Sequence, residues 1–446
     1  MKAEADRIQD LLLYAKEQGA DQCEVYKEES SNWNCRVYQG KVDDLQASKS
    51  GGLGMRLIYN NVMGTAYTTD LRWESMTEAV DRAIENAKIG HPDQLEFYRH
   101  ESAEYPTLSL WDEKLDSISD EEKIRLALDM EKMAGGRDPR IQKVLGASVS
   151  TRSHKVTIRS TQGVHQSYRS NSASASISVL ATKGGMMQAG HGYQYSRTWD
   201  GLSPSSLVDE AIEHAVSLVG GQPVESQDAS VIFHRNVAGQ IWAMLGRTLT
   251  GEEAQKGRSI FAGREGQKVA SDLVTVVDDP LREDGPGAAP FDGEGVPHKT
   301  FTLIENGVLK GFLYDTRSAA KANTTTTGHA HRSFRSAVSA APANLYLKPG
   351  NMTRDELVAC TRNGFLVAEV KGLTVGGFNV VTGDLSVGAS GLWIKDGKVA
   401  RPVREVTIAG NLKEMLMEVD GVADDFKWGA IGTPSFRVKK MAVSGK

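Results

Sequence analysis

The stretch Gly52-Leu-Gly-Met-Arg-Leu-Ile-Tyr-Asn-Asn-Val-Met-Gly-Thr-Ala-Tyr67 sets the architecture of the first half of the chain when it is laid beside Ala175-Ser-Ile-Ser-Val-Leu-Ala-Thr-Lys-Gly-Gly-Met-Met-Gln-Ala-Gly190. Each reads as a strand, a tight turn of Asn or Gly, and a second strand, which is the signature of a β-hairpin. The flanking segments repeat too. Residues 3–18 have helical periodicity through Ala5, Ile8, Leu11, Leu12 and Ala15, strand-like segments run from Cys23 to Thr69, and a helix is predicted over Trp73 to Lys88. The second pass opens with a helix over Asp120 to Met133, for which Ser119 and Glu122 supply the start signal. Strand-like segments follow from Val144 to Thr198, and a helix over Ser205 to Val219, introduced by Ser203-Pro204, closes it. The sequence therefore predicts an α+β chain whose N-terminal domain packs helices on an antiparallel sheet and is built twice, over about 1–90 and 118–220.

At 446 residues the chain exceeds the roughly 250–300 residues that one hydrophobic core serves, so two domains are expected. Gly220-Gly-Gln-Pro223 and the polar stretch to Ser230 make the natural boundary, dividing 1–222 from 223–446. Past it, a helix over Asn236 to Leu249 presents Val237, Ile241, Met244, Leu245 and Leu249 on one side. Strand signals then dominate at Leu273–Val277, Thr300–Ile304, Val308–Tyr314, Ala343–Leu347, Gly391–Ile394, Val406–Ala409 and Ser435–Met441, with turns at Glu305-Asn-Gly307 and Lys395-Asp-Gly397. One helix is predicted there, Thr353–Asn363, capped by Asn351 or Thr353. The C-terminal domain reads as β-rich.

Composition narrows the function. A net charge of −5 and the lack of any Lys/Arg run give no field for a nucleic acid. Cys23, Cys35 and Cys360 are too few and too scattered for a disulfide framework or a cysteine-rich metal site. Cys23 and Cys35 fall in strand-like segments expected to be neighbours, and buried free thiols are the favoured reading over a bridge. The segment Met1-Lys-Ala-Glu-Ala-Asp-Arg-Ile-Gln-Asp10 lacks the apolar core of a signal peptide, and no stretch approaches the ~20 apolar residues of a membrane span. A cytoplasmic protein that contacts neither membrane nor nucleic acid is expected.

The segment Val231-Ile-Phe-His-Arg-Asn-Val-Ala-Gly-Gln240 precedes Gly257-Arg-Ser-Ile-Phe-Ala-Gly-Arg-Glu-Gly-Gln-Lys-Val-Ala-Ser271 and Val274-Thr-Val-Val-Asp-Asp-Pro280. Further blocks follow at Phe291-Asp-Gly-Glu-Gly-Val-Pro297, Leu303-Ile-Glu-Asn-Gly-Val-Leu-Lys-Gly-Phe-Leu-Tyr-Asp315, Val381-Thr-Gly-Asp-Leu-Ser-Val-Gly388 and Ile408-Ala-Gly-Asn-Leu412. In this order they resemble the TldD/PmbA family of zinc peptidases, some members of which carry the label "modulator of DNA gyrase". The catalytic TldD branch begins the same helix with His-Glu-x-x-x-His. Here His234 is kept, but Arg235 holds the Glu position and Gly239 the second His position. A cation in place of the general base and a bare Cα in place of a ligand do not make a zinc-water site. That branch also takes a cysteine ligand from a Gly-Thr-Cys-Gly-type loop, where this chain has Trp428-Gly-Ala-Ile-Gly-Thr-Pro434. The chain thus resembles the PmbA (TldE) branch. The resemblance implies no metal in this chain, zinc in a TldD-type partner, and extended peptide substrates.

Other residues offer chemistry of their own. His329-Ala-His331 would put two imidazoles on one face if extended, with His298, Asp278 and Asp279 as further ligands; the alternative is a polar loop, Thr324-Thr-Thr-Thr-Gly-His-Ala-His-Arg332, with solvated histidines. The family resemblance places this loop near the peptide groove, which makes Gly328, His329, His331, Asp278 and Asp279 candidates for substrate contact. Asp278 and Asp279, adjacent on an extended chain, point to opposite faces, against a shared-proton pair. Asp292 and Glu294 sit in a glycine-rich loop read as a surface excursion ahead of a lid. Gly388-Ala-Ser-Gly391 lacks the nucleophile-elbow spacing, Cys360 has no nearby His, and no helix follows Gly51-Gly-Leu-Gly54 as a phosphate loop requires. The leading expectation is a non-catalytic subunit pairing with a TldD-type zinc peptidase. The alternatives are a self-sufficient metallopeptidase using His329 and His331, and a homodimeric peptide-binding protein.

Overall fold

The computed structural model describes residues 4–92, 96–100 and 104–446. Residue 3, the expected start of the first helix, and the first three residues of the N-terminal segment lie outside the described residues. The first 200 residues form one six-stranded antiparallel sheet of β1 (Gln22–Tyr38), β2 (Lys41–Tyr59), β3 (Val62–Thr68), β4 (Ile141–Ser160), β5 (His165–Lys183) and β6 (Met186–Ser196). Their order, β3-β2-β1-β4-β5-β6, is two three-stranded meanders joined back to back, with β1 antiparallel to β4 from Glu24↔Ser160 to Val37↔Ala147. The hairpin turns fall where the sequence puts them. Asn60 and Asn61 have φ of 50° and 61°, Gly184 and Gly185 φ of 57° and 80°, the left-handed geometry of two-residue hairpins.

Each meander is flanked by a helix before and after: Glu4–Glu17 with Trp73–Lys88, and Asp120–Ala134 with Pro204–Leu218. Ser119 accepts from the Glu122 N–H and opens the third of these. One close approach recurs in both passes. A Cβ on Gly64 of β3 would stand 1.9 Å from the carbonyl oxygen of Ala83, and one on Gly190 of β6 2.1 Å from that of Ala211, so each outer strand carries glycine where its helix touches the sheet. The helices bury two apolar clusters on one face, around Leu11, Leu57 and Val80, and around Met130, Ile177 and Val208. Cys23 and Cys35 belong to that face. They lie on the same strand, not on neighbouring ones, so about 40 Å of extended chain separates them and both thiols are free and buried.

The C-terminal half holds two further six-stranded sheets. One runs Val308–Leu309, Phe301–Glu305, Val276–Asp278, Leu345–Leu347, Gly432–Thr433, Lys427–Trp428. The other runs Lys398–Asn411, Asp384–Lys395, Asn363–Lys371, Gln227–Phe233, Phe436–Ser444, Val419–Val422, and an added pairing of Lys398–Asn411 with Phe436–Ser444 turns it back on itself. The helix Arg235–Thr248 buries Val237, Ala238, Ile241, Trp242 and Leu245 in the core that joins both sheets. The Asn-Gly and Asp-Gly turns hold, with Asn306 and Asp396 at φ of 45° and 50°. The short helix is Arg354–Ala359, closed at its start by a reciprocal Thr353–Glu356 capping box. The expected strand to Tyr314 ends at Leu309, because the chain turns into a helix at Thr316–Lys321 begun by an Asp315–Ser318 box.

Candidate functional site

His234 caps the helix Arg235–Thr248, its Nδ1 accepting from the Asn236 N–H at 3.4 Å, while Nε2 lies 3.4 Å from the Arg354 guanidinium. Burial and then the Arg235 and Arg354 charges hold this imidazole down to about 3, so it is neutral. Arg235 reaches the Asp425 carbonyl, its backbone N–H donates to Ser435 Oγ, and its carbonyl accepts from Thr433 Oγ1. Gly239 faces the Ile431 carbonyl and Thr433 on the strand that closes over the helix. His234, Arg235 and Arg354 line a cleft of about 1050 Å³ together with His214, Lys427, Glu210 and Glu213. The two carboxylates are already engaged: Glu210 takes the Lys427 ammonium at 2.6 Å and the Asn236 amide at 3.1 Å, and Glu213 lies 3.8 Å from Arg354. Two imidazoles, His234 and His214, set among the cations Arg235, Arg354 and Lys427 do not fit a divalent metal.

A second cleft, of about 670 Å³, lies between the helix-free face of the first sheet and the loops of the C-terminal half. Period-two alternation puts Glu24, Tyr26, Glu28, Asn32 and Asn34 of β1 and Ser150, Arg152, His154 and Val156 of β4 on that face. Opposite stand Pro286–Ala289, Phe291–Gly293, His298, His329–Arg332 and Ala341–Ala343. Tyr26, Val156 and Ile158 pack with Phe291 and Phe334 to close one end.

The sequence candidates meet here, though not as expected. Asp278 is fully buried, its two oxygens accepting the Ala343 and Asn344 N–H groups at 2.9 Å each; burial, aided by Asp279, pushes it up to about 7 against those two bonds. Asp279 faces the other way and takes the Thr300 hydroxyl at 2.8 Å. Gly328 and His329 are buried and His331 is exposed. The ladder covers only Ala330–His331 against Ser339–Ala340, so His329 lies before it, and both histidines line the second cleft. His329 Nε2 is 3.8 Å from Asp278 Oδ1, and the His298 and His329 ring centroids are 6.0 Å apart. Among the described residues no group of three His, Cys, Asp or Glu side chains is placed to hold a metal ion.

Asp292 and Glu294 overturn the reading of their loop as a surface excursion: they are 4% and 2% exposed. Asp292 Oδ1 accepts the Glu294 and Val296 N–H groups and Oδ2 that of Ala330, tying the loop to the short ladder. Glu294 accepts from Arg56 Nη1 at 3.0 Å and the Thr316 N–H at 2.8 Å. Arg56 in turn forks onto both Glu24 oxygens at 3.0 Å, and Glu24 also receives Arg332. Two carboxylates and two guanidiniums, all but dry, thus join the first sheet to the C-terminal loops. Arg56 was the legible member, an arginine in register with the face of β2 that the helices leave bare. Its partner Glu294, 238 positions away, carries no local signal.

Comparison with known proteins agrees with this layout. Residues 23–87, 113–219 and 226–445 match domain 1, the central domain and the C-terminal domain of the PmbA/TldA metallopeptidases. The chain is 29% identical to the metalloprotease PmbA homolog of Haemophilus influenzae, over 100% of this chain and 98% of that protein. It is 25% identical to the metalloprotease TldD homolog of the same organism, over 95% and 93%. The crystal structure of TldE from Thermococcus kodakarensis superposes with a TM-score of 0.91 at 21% identity, covering 98% of this chain and all of that one.

Proposed function

Since the chain belongs to the PmbA/TldD family of metallopeptidases, we propose that it is the non-catalytic, PmbA/TldE-type subunit of a two-chain cytoplasmic peptidase, holding substrate while a TldD-type partner supplies zinc and cuts. The observation that carries this reading is the environment of His234: a guanidinium occupies the general-base position, a glycine the second ligand position, and Arg354 and Lys427 complete a cationic ring. Activating water needs a metal held by several ligands and a base beside it, and a guanidinium and a glycine at those two positions are chemically unsuited to either task.

Support for substrate holding comes from the second cleft. Its volume suits several residues of extended peptide, and one wall carries small side chains, Ala288, Ala289, Ala341 and Ala343, beside which a backbone can lie close. The alternative of a self-sufficient metallopeptidase at His329 and His331 is not favoured, since among the described residues no third His, Cys, Asp or Glu joins them in position to hold a metal ion.

The test is a peptidase assay on unfolded polypeptide with this chain alone, a TldD-type chain alone, and the two mixed, with sedimentation to read the assembly. Cleavage by the mixture only, in a particle containing both chains, is expected. Chelator-sensitive cleavage by this chain alone overturns the proposal, and a stable homodimer that ignores the TldD-type chain favours the peptide-binding alternative.

A further inference from the structure

Two buried imidazoles on the floor of the second cleft each have one nitrogen with nothing to bond. His298 is 6% exposed and His329 1%, and both line the cleft. His298 Nδ1 and His329 Nε2 lack any hydrogen-bond partner. Their other nitrogens are committed: His329 Nδ1 lies 3.0 Å from Thr327 Oγ1 and also meets the Thr327 backbone, and the second nitrogen of His298 bonds the backbone of Gly328. Burial keeps both rings neutral, His298 at about 3 and His329 at about 4. A neutral imidazole that donates through one nitrogen is an acceptor at the other. Two dry lone pairs therefore lie just beneath the cleft floor, with rings 6.0 Å apart, beside the buried Asp278 carboxyl 3.8 Å from one of them. An unmet buried acceptor is costly, so this floor is shaped for something that donates.

The chemistry of the occupant follows from the set. Carboxylates and phosphates bring only further acceptors to two acceptor nitrogens and find no donor there; the guanidiniums of the cleft, Arg152, Arg197 and Arg332, belong to its other lining. A metal ion would find two imidazoles and no third His, Cys, Asp or Glu in position among the described residues. An ammonium group fits: it donates three N–H bonds and carries a charge that Asp278, poised near neutrality by burial, can balance. We infer that His298 and His329, with Asp278 behind them, form a subsite for a primary ammonium, the amino terminus or a lysine side chain of a bound peptide. The inference rests on the peptide-holding reading of the same cleft and gives it a direction, with one end of the substrate anchored against the Gly328–His329 loop.

The experiment uses the full chain and two kinds of probe. Calorimetric titration compares one alanine-serine hexapeptide with a free amino terminus, N-acetylated, and N-acetylated with a lysine in first place. In parallel, the ring signals of His298 and His329 are followed by NMR with alaninamide and with N-acetylalaninamide. Expected is a preference of about tenfold or more for the free terminus over the plain acetylated peptide, the size of a charge-assisted hydrogen bond. The preference is expected to vanish in His298→Leu, and both wild-type ring signals should shift with alaninamide only. Recovery by the lysine peptide assigns the subsite to side chains, and no recovery assigns it to the terminus; either supports the ammonium chemistry. Equal binding of free and acetylated peptides, with unmoved ring signals, means water fills the floor: the inference falls and the peptide-holding reading stands. No peptide binding overturns that reading, and unmoved ring signals then remove the subsite too. Stoichiometric zinc on the two rings also overturns the ammonium assignment. The NMR arm needs no variant, so misfolding of His298→Leu leaves the inference testable.

Discussion

The two clefts are lined by the same kind of residue and have opposite endings. Around His234 both ring nitrogens have neighbours from the protein, a backbone N–H and a guanidinium, and every nearby carboxylate is spoken for. Around His298 and His329 the rings are just as neutral, yet one nitrogen on each is open. The first cleft, despite its larger volume, is ringed by Arg235, Arg354 and Lys427, and its unpaired imidazole nitrogen, His214 Nε2, faces the Glu369 carboxylate at 3.6 Å, whereas the second holds two unpaired imidazole nitrogens within one pair of rings. Volume alone would rank them the other way round, and the pairing of polar atoms decides which one is able to recognise anything.

The clefts also differ in how they are held, and this gives the largest expected effect. The second is fastened by Glu24, Arg56, Glu294 and Arg332, whose side chains are 5% exposed or less, whereas the first is bridged by Lys427–Glu210, at 20% and 21%. Arg56→Met strands two buried carboxylates and is expected to cost about 3–5 kcal/mol in denaturant unfolding, while Lys427→Met should cost no more than about 1 kcal/mol. Equal costs would erase the distinction.

A smaller effect should appear as pH dependence of opposite sign. The Asp278 carboxyl, at about 7 folded against 3.8 in a free chain, holds its proton more tightly when folded; its contribution is full below about pH 4 and is lost as pH rises through 7. The melting-temperature lead of the parent over Asp278→Asn should therefore shrink from pH 4 to pH 8. His234, at about 3 folded against 6.5, contributes fully above 6.5 and loses that as pH falls, so the parent's lead over His234→Gln should shrink from pH 7 to pH 4. The least effect of all is expected from Arg235→Glu combined with Gly239→His. Restoring the motif letters leaves Arg354 and Lys427 in place and no cysteine in the 428–434 loop, so equilibrium dialysis should find no stoichiometric zinc.

What could be read in advance divides along the same line. The doubled meander, its turns and its capped helices were legible because Asn60-Asn61, Gly184-Gly185 and Ser119 act through neighbours in sequence. The cationic ring of the first cleft was half legible: Arg235 and Gly239 declare the missing chemistry, while Arg354 and Lys427 arrive from 120 residues and more away. The second cleft was hardly legible. His329 and His331 alternate on paper, but a two-residue ladder is too short to impose that alternation, and Asp292 and Glu294 look like loop polarity until Ala330 and Arg56 are brought to them. Nothing in the letters tells which histidine nitrogen will be left over, because that depends on Thr327 and Gly328 turning inward.

The fourfold knot of Glu24, Arg56, Glu294 and Arg332 has an evolutionary corollary. Each member is tolerable in its dry setting only while the others keep their charge, so single replacements meet a fitness barrier that simultaneous ones avoid. Drift at these four sites is expected to be epistatic, with acid and base exchanged or discarded in matched sets, and a lineage that lost Arg332 would have to resolve the mismatch at Glu24, 308 codons distant.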